Sequence, residues 1–315
     1  MFRALDGDML ICRIAPLTPG IYLLHKRAGE TSFALVQAFM EEVRAAGIRR
    51  DKLPVCHGGA LDPFARGLLL ILAGEAARLM DLLHPIPKSY VAEIAWGAET
   101  DNGDPLGRVV DSADASKLTP AILDAALPAF LGWRDQVPPA TSNKRVGGER
   151  AYRKAHRGEA VSLPPSRVYL HEARWLSHDL PGSSTLSLSC GGGYYVRSLG
   201  RDLGRATGAL GHLTRLSRTA IGPWRDPGDG RRSVVRGAEL YPWSPSRDVT
   251  ERELALLRAG KGISRGETVA PQWALPTGFP PPDAPIRGLL GGAIVAMLRD
   301  RGGELHGAPV LRGPL

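Results

Sequence analysis

Apolar positions along this chain fall in short, well-separated runs whose spacing changes from one run to the next. The segment Gly20-Ile21-Tyr22-Leu23-Leu24-His25-Lys26 has the length and apolar content of a strand. Thr31-Ser32 offers helix-capping hydroxyls, and Phe33, Val36, Phe39, Met40 and Val43 then recur at helical spacing until Gly47 ends the pattern. Leu68 to Leu72 is an unbroken apolar run and predicts a buried strand, while residues 75–83 predict a helix closed by Pro85 and Pro87. Residues 90–96 alternate as strands do. Thr119-Pro120 predicts a helix with proline at its first position, ending near Gly132. Strands are predicted over 168–175 and 185–190, and a helix over 198–209. Strands and helices interleave without a strict βαβ rhythm, which predicts an α+β fold with a mixed, largely antiparallel sheet.

The two ends of the chain read differently. Residues 1–19 are mixed and predict a loose arm or an edge strand. Around 223–245 the composition turns to Pro, Gly, Arg and Asp, which predicts a linker. A smaller unit follows, with a helix over 251–259 and its clearest strand over 291–298. The expected organisation is therefore a main domain over 1–240 and a small β-rich domain over 248–315.

Composition narrows the class. The chain has 315 residues, enough for roughly two domains, and its 43% hydrophobic and 23% charged residues are ordinary globular usage. Gly and Pro together make about a fifth of it, below the level of disordered sequences. Three scattered cysteines, Cys12, Cys56 and Cys190, suit neither a disulfide framework nor a zinc site, and reduced thiols fit a cytoplasmic protein. No apolar run approaches the ~18 residues of a membrane span, and the charged N-terminal stretch does not read as a signal peptide. The formal charge of +8 favours a polyanionic partner through phosphate neutralisation.

Three clusters carry candidate chemistry. In Cys56-His57-Gly58-Gly59-Ala60-Leu61-Asp62-Pro63-Phe64-Ala65-Arg66-Gly67, one carboxylate stands between flexible glycines and a rigid proline, just before a buried run. Asp62 is either a turn former, as Asp-Pro often is, or a carboxylate presented by a bent loop. The second cluster runs from Lys144 to Arg157 and holds six Lys/Arg, including Arg150 and Arg153, with one acid and Tyr152. It reads as a solvated helix face or as a surface that tracks phosphates. The third, Cys190-Gly191-Gly192-Gly193-Tyr194-Tyr195-Val196-Arg197, is a glycine-rich hairpin or a close-approach loop whose arginine partners a carboxylate.

The order of these pieces resembles the TruB-type tRNA pseudouridine-55 synthases. That family carries Gly-His-Thr-Gly-Thr/Ala-Leu-Asp-Pro-x-Ala-x-Gly, matched here by His57, Gly59, Leu61, Asp62, Pro63, Ala65 and Gly67. Its strand start is matched by Lys88-Ser89-Tyr90, and its Thr-Asp-x-x-Asp-x-x-Gly turn by residues 100–107. Its Gln-x-Pro-Pro-x-x-Ser-Ala-x-Lys stretch is matched by Gln136, Pro138, Pro139, Ser142 and Lys144, then Gly147, Ala151 and Tyr152. Its closing motifs are matched by Cys190, Gly193, Tyr195, Arg197, Asp202-Leu203-Gly204, His212-Leu213, Leu216 and Arg218-Thr219. The resemblance spans about residues 20–222. Departures are His25-Lys26-Arg27 for Asp-Lys-Pro, Cys56 and Gly58 around His57, Thr141-Ser142-Asn143 for Tyr-Ser-Ala, and Tyr194 for Thr.

The resemblance implies a pseudouridine-synthase fold followed by a small PUA-like RNA-binding domain. It also implies conversion of uridine to pseudouridine at position 55, in the T-arm stem-loop of tRNA. Asp62, Tyr90 and Arg197 would be catalytic: Asp62 acting on the nucleoside, Arg197 holding it ionised, Tyr90 stacking on the base. His57, Leu216, Lys144, Arg150, Arg153 and Tyr195 would bind substrate. Whether Asp62 attacks C1′, attacks C6 or abstracts a sugar proton is open at this level. The isomerisation needs no cofactor and no metal, and the expected enzyme is a cytoplasmic monomer without an obligate protein partner. The rival class is a non-catalytic tRNA-binding or RNA-folding protein on the same scaffold, against which Asp62, Tyr90 and Arg197 stand intact. An RNA-guided synthase subunit would need partner surfaces and a fuller PUA domain. A glycosidase would need a second carboxylate in a comparable loop.

Overall fold

The computed structural model describes residues 17–142 and 144–315. Most of the predicted N-terminal arm, with Cys12, and Asn143 lie outside the described residues. The larger part of the chain begins with β1 (Gly20–Lys26), α1 (Ser32–Ala45), β2 (Val55–His57), β3 (Arg66–Ala73) and β4 (Lys88–Trp96). It continues with α2 (Pro120–Ala126), β5 (Gly132–Gln136), α3 (Ala151–His156), β6 (Ser166–Asp179) and β7 (Ser183–Cys190). It closes with α4 (Val196–Thr207), β8 (Gly211–Ile221) and β9 (Arg232–Val235). Among the described residues the main sheet has ten strands, in the order β9-β1-β3-β8-β4-β7-β6-β5, with β2 beside β3 and the short Trp224–Arg225 strand beside β8. Neighbours are antiparallel except β3 and β8, which run parallel through Ser217↔Arg66 and Arg218↔Gly67. The expected α+β class with a mixed, largely antiparallel sheet is the one that forms.

The unbroken apolar run of β3 has a direct cause: both faces of that strand are covered. Leu69, Ile71 and Ala73 point to one side, where Tyr22 and Phe39 meet edge-on at 4.8 Å under α1. Leu68, Leu70 and Leu72 point to the other side and join Ala76, Leu79 and Leu83. Those three belong to Gly74–Leu83, which is a 3₁₀ helix rather than an α-helix. Ala76 and Leu79, three residues apart, share a face when a turn holds three residues.

The stretch predicted as a linker is instead part of the core. Arg232–Val235 pairs with β1 as the edge strand of the main sheet, and Leu240, Tyr241 and Trp243 are buried. Trp224 and Tyr241 flank Trp243 with ring centroids 5.3 and 5.6 Å away. The Pro and Gly content suggested a flexible connection, but the apolar residues between them bind it down.

Beyond it lies a five-stranded sheet built from β10 (Ser246–Asp248), β11 (Ile286–Leu290), β12 (Ala293–Arg301), β13 (Glu304–Val310) and the short Ile263–Ser264 piece. Helix α5 (Glu251–Arg258) opens with a capping box between Thr250 and Glu253. Gly291-Gly292 form a turn, so β12 begins two residues later than the sequence pattern places it. Val295, Ala296 and Leu298 pack with α5, while Ile294 and Met297 join the core beside β3. The small sheet is thus packed directly on the main one. Among the described residues, no helix is long and apolar enough to cross a membrane.

Candidate active site

Asp62 sits in the loop between β2 and β3, with its side chain one-third exposed. Several buried groups hold that loop by its backbone. Lys26, at the end of β1, is fully buried and donates to the carbonyls of Arg27, Pro63 and Ala65 at 3.0, 3.2 and 2.5 Å. Ser32 Oγ accepts from Leu61 N–H at 2.9 Å and lies 3.1 Å from Leu61 O, to which it donates. Burial pulls the Lys26 ammonium down to about 8, against the opposing pull of Glu30 and Asp62.

Arg197 reaches the carboxylate from the first turn of α4. Gln136, at the end of β5, fixes the start of that helix by accepting from Tyr195 N–H at 2.9 Å and donating to Tyr195 O at 3.1 Å. The guanidinium is 3% exposed; its Nη2 donates to Asp62 Oδ1 at 3.0 Å while Nε lies 2.8 Å from Oδ2. One charge-assisted hydrogen bond and one close ion-pair contact thus hold the carboxylate against the guanidinium. Nη1 donates to Asn102 O at 2.8 Å and Thr141 Oγ1 at 2.7 Å, and sits 3.5 Å from buried Asp104. Burial raises the pKa of Asp104, the second carboxyl near Arg197.

The cleft above Asp62 has a volume of about 740 Å³ and is lined by His57, Asp62, Tyr90, Arg150, Tyr195, Arg197, Leu216 and Arg218, among others. Sheet register explains the assembly. Gly67, Arg218, Tyr90 and Leu188 lie opposite one another across β3, β8, β4 and β7. Gly67 has φ +106°, and a Cβ there would fall 2.3 Å from Arg218 O. Only glycine lets β3 approach β8 this closely. Burial pushes the Tyr90 phenol up to about 12, so it stays protonated at neutral pH. The pKa of Tyr195 is raised for the same reason. His57 accepts at Nδ1 from Gly59 N–H at 3.3 Å, and burial together with Arg218 lowers its pKa, favouring neutral imidazole.

Lys88, which the sequence placed at a strand start without a role, begins β4. Its Nζ donates to the carbonyls of Leu83, His84 and Ile86 at 2.7, 2.6 and 2.8 Å, closing the end of the 3₁₀ helix. Burial pulls this ammonium down to about 7.

The basic run folds as a two-residue-per-strand hairpin followed by α3. Arg150 lines the cleft, whereas Lys144 and Arg153 lie outside its lining. Lys144 donates to Ser166 Oγ at 2.8 Å, and the Arg153 guanidinium lies 6.0 Å from the Tyr152 ring centre. Arg157 is held by Glu149 at 2.7 and 2.9 Å and by Glu159 at 2.6 Å. The sequence therefore brings Asp62, Tyr90, Arg197, His57, Leu216, Tyr195 and Arg150 to one cleft and sets Lys144 and Arg153 beside it. Among the described residues, no group of three or more His, Cys, Asp or Glu could hold a metal ion.

Residues 48–196 match the TruB family pseudouridylate synthase N-terminal domain. The tRNA pseudouridine synthase B of Mycobacterium bovis (strain BCG / Pasteur 1173P2) is 36% identical over 302 residues, covering 93% of this chain and 96% of that protein. The tRNA pseudouridine synthase B of Paracoccus denitrificans is 43% identical over 174 residues, 55% of this chain and 57% of that protein. Among solved structures, a chain of an H/ACA ribonucleoprotein bound to a substrate RNA superposes with TM-score 0.62 at 16% identity, covering 93% of this chain and 85% of that one. A chain of a Cbf5-Nop10-Gar1 complex gives TM-score 0.60 at 18% identity, covering 92% and 84%. At these identities the structural likeness is one of fold.

Proposed function

The chain belongs to the TruB family of pseudouridylate synthases, and we propose that it converts uridine 55 in the T-arm of tRNA to pseudouridine with Asp62 as its catalytic carboxylate. The observation that carries this reading is the buried Arg197 guanidinium paired with Asp62, which holds one carboxylate in a fixed orientation in a cleft of about 740 Å³. The reaction breaks N1–C1′, turns the base and forms C5–C1′, with the C5 proton lost and N1 protonated. Asp62 acts on the nucleoside while the glycosidic bond is open. Tyr90 stacks on the base, and its phenol, protonated at neutral pH, faces the C5 proton. Leu216 closes the apolar side of the pocket. A base in a folded RNA arm must be turned out of its stack to enter such a cleft, and His57 lies at the rim where neighbouring nucleotides pass. The basic hairpin and α3 track the phosphates. Residues 1–240 serve as the catalytic domain and 248–315 as a PUA-like RNA-binding domain. The enzyme works in the cytoplasm as a monomer without protein partner or cofactor.

Incubation with an unmodified tRNA transcript and mapping of pseudouridine tests the reading: a single modified site in the T-loop is expected, and no modified site contradicts it. The isomerisation involves no net redox change, so activity on tRNA folded in monovalent salt should survive exhaustive chelation. Loss of activity that a divalent ion restores, with the RNA still folded, would contradict that expectation.

Lys26 gives a pH prediction. It faces Glu30, Asp62 and Arg218. The single-turnover rate should fall as pH climbs through about 8, because neutralisation removes one of the Lys26 donors, two of which hold the loop carbonyls of Pro63 and Ala65, and a positive charge near Asp62. The sign for stability is opposite. The folded-state value is about 8 against 10.5 in the unfolded chain. Between these values the unfolded state binds more protons, so this group makes stability rise with pH there. Lys26→Met should be slower throughout and lack the alkaline limb. A limb that persists in that variant belongs to another group, with Lys88 first in line.

A further inference from the structure

We infer that Arg218 is a positioning residue for the reaction, one that fixes the Asp62 loop and Tyr90 relative to each other. The inference rests on the reading of Asp62 and Tyr90 given above. Arg218 is 3% exposed, and among the described residues no carboxylate forms an ion pair with it. Burying a guanidinium without a counter-charge is expensive, so it must be satisfied by other acceptors. All three of its nitrogens turn to backbone carbonyls: Nε donates to Leu68 O at 2.8 Å, Nη2 to Gly59 O at 3.0 Å and Nη1 to Ala60 O at 3.4 Å.

These acceptors lie on both sides of Asp62. Gly59 and Ala60 precede it on the loop, and Leu68 follows it on β3. The backbone of Arg218 adds a second constraint, since it pairs with Gly67 at the start of β3, where the missing Cβ permits the contact. Across the opposite edge of β8, Arg218 stands directly against Tyr90, and the Tyr90 phenol interacts with its side chain. One residue thus registers both ends of the loop that presents the carboxylate and the strand that presents the aromatic ring. Each of its three nitrogens donates to a backbone carbonyl of the loop or of β3, and the side chain also meets the Tyr90 phenol, so the effect should fall on the chemical step rather than on RNA affinity.

The test is single-turnover kinetics and equilibrium tRNA binding for the full-length enzyme, with Arg218→Met, Arg218→Lys and Asp62→Asn side by side. Arg218→Met should lower the rate at saturating tRNA by about 100-fold or more, with the Kd within about threefold of wild type. Arg218→Lys keeps the charge but cannot reach both Leu68 and the Gly59–Ala60 pair, so it should recover part of that loss and remain about tenfold slow. If Arg218→Met does not fold, Arg218→Lys decides alone. A wild-type rate from Arg218→Lys, or a Kd that weakens in step with the rate, overturns the inference. Failure of the wild-type enzyme to form pseudouridine would instead overturn the assignment of the reaction.

Discussion

Asp62→Asn should abolish pseudouridine formation, lowering single-turnover rate by more than about 10³-fold, while tRNA affinity stays within a few-fold. Asparagine keeps the shape and can still accept from Arg197 Nη2, now 3.0 Å from Oδ1. It removes the negative charge, and with it any capacity to act as nucleophile or base. Arg197 does not become an orphaned buried charge, because Asp104 lies 3.5 Å away and Asn102 O and Thr141 Oγ1 accept from it. The fold should therefore hold, and a melting curve near wild type would separate lost chemistry from lost structure. Affinity should hold because the side chain is only one-third exposed and offers nothing to a phosphate. Quantifying pseudouridine after long incubation with excess enzyme is the decisive measurement. An Asn variant that keeps more than a small fraction of wild-type turnover would remove Asp62 from the catalytic role.

Elements whose pattern depends on local spacing were legible in the sequence. The alternation in β4, the capping threonine of α1 and the unbroken apolar run of β3 each predict what forms. Asp62, Tyr90 and Arg197 were legible as well, through motif order. Through-space partners were harder to read. Lys26 looks like a solvent-facing end to an apolar strand, yet it is fully buried because the carbonyls of Pro63 and Ala65 come to it from 37 and 39 residues away. Arg218 stood in a recognised motif without a role, since its acceptors at Gly59 and Ala60 are 159 and 158 positions distant. The stretch around 223–245 misled for a different reason. Composition averages over side chains, and five buried residues among prolines and glycines, Trp224, Val235, Leu240, Tyr241 and Trp243, suffice to seat it in the core. Charge density in the basic run also conceals a distinction, because Glu149 and Glu159 neutralise Arg157, whereas among the described residues no carboxylate pairs with Lys144 or Arg153.

Reversal of Arg150 and Arg153 to glutamate should weaken tRNA binding by at least about tenfold near 0.1 M salt and flatten its salt dependence. Each phosphate contact contributes a slope of roughly 0.7–0.9 in log K against log salt, so losing two should reduce the slope by about 1.5. Arg150 lines the cleft and Arg153 lies beside Tyr152 on the helix that follows, so both would meet an RNA arm that enters the cleft. The chemical step at saturating RNA should change little, since Arg197 is the side chain that holds the Asp62 carboxylate. Arg157→Gln provides the internal comparison. Its charge is already matched by two glutamates at 2.6–2.9 Å, so its loss should shift the slope less than either reversal. If the hairpin and α3 were only a solvated charged face, both variants would bind with wild-type affinity and slope. A salt titration of binding for the double variant therefore distinguishes a phosphate-tracking surface from an idle one, independently of any measurement of turnover.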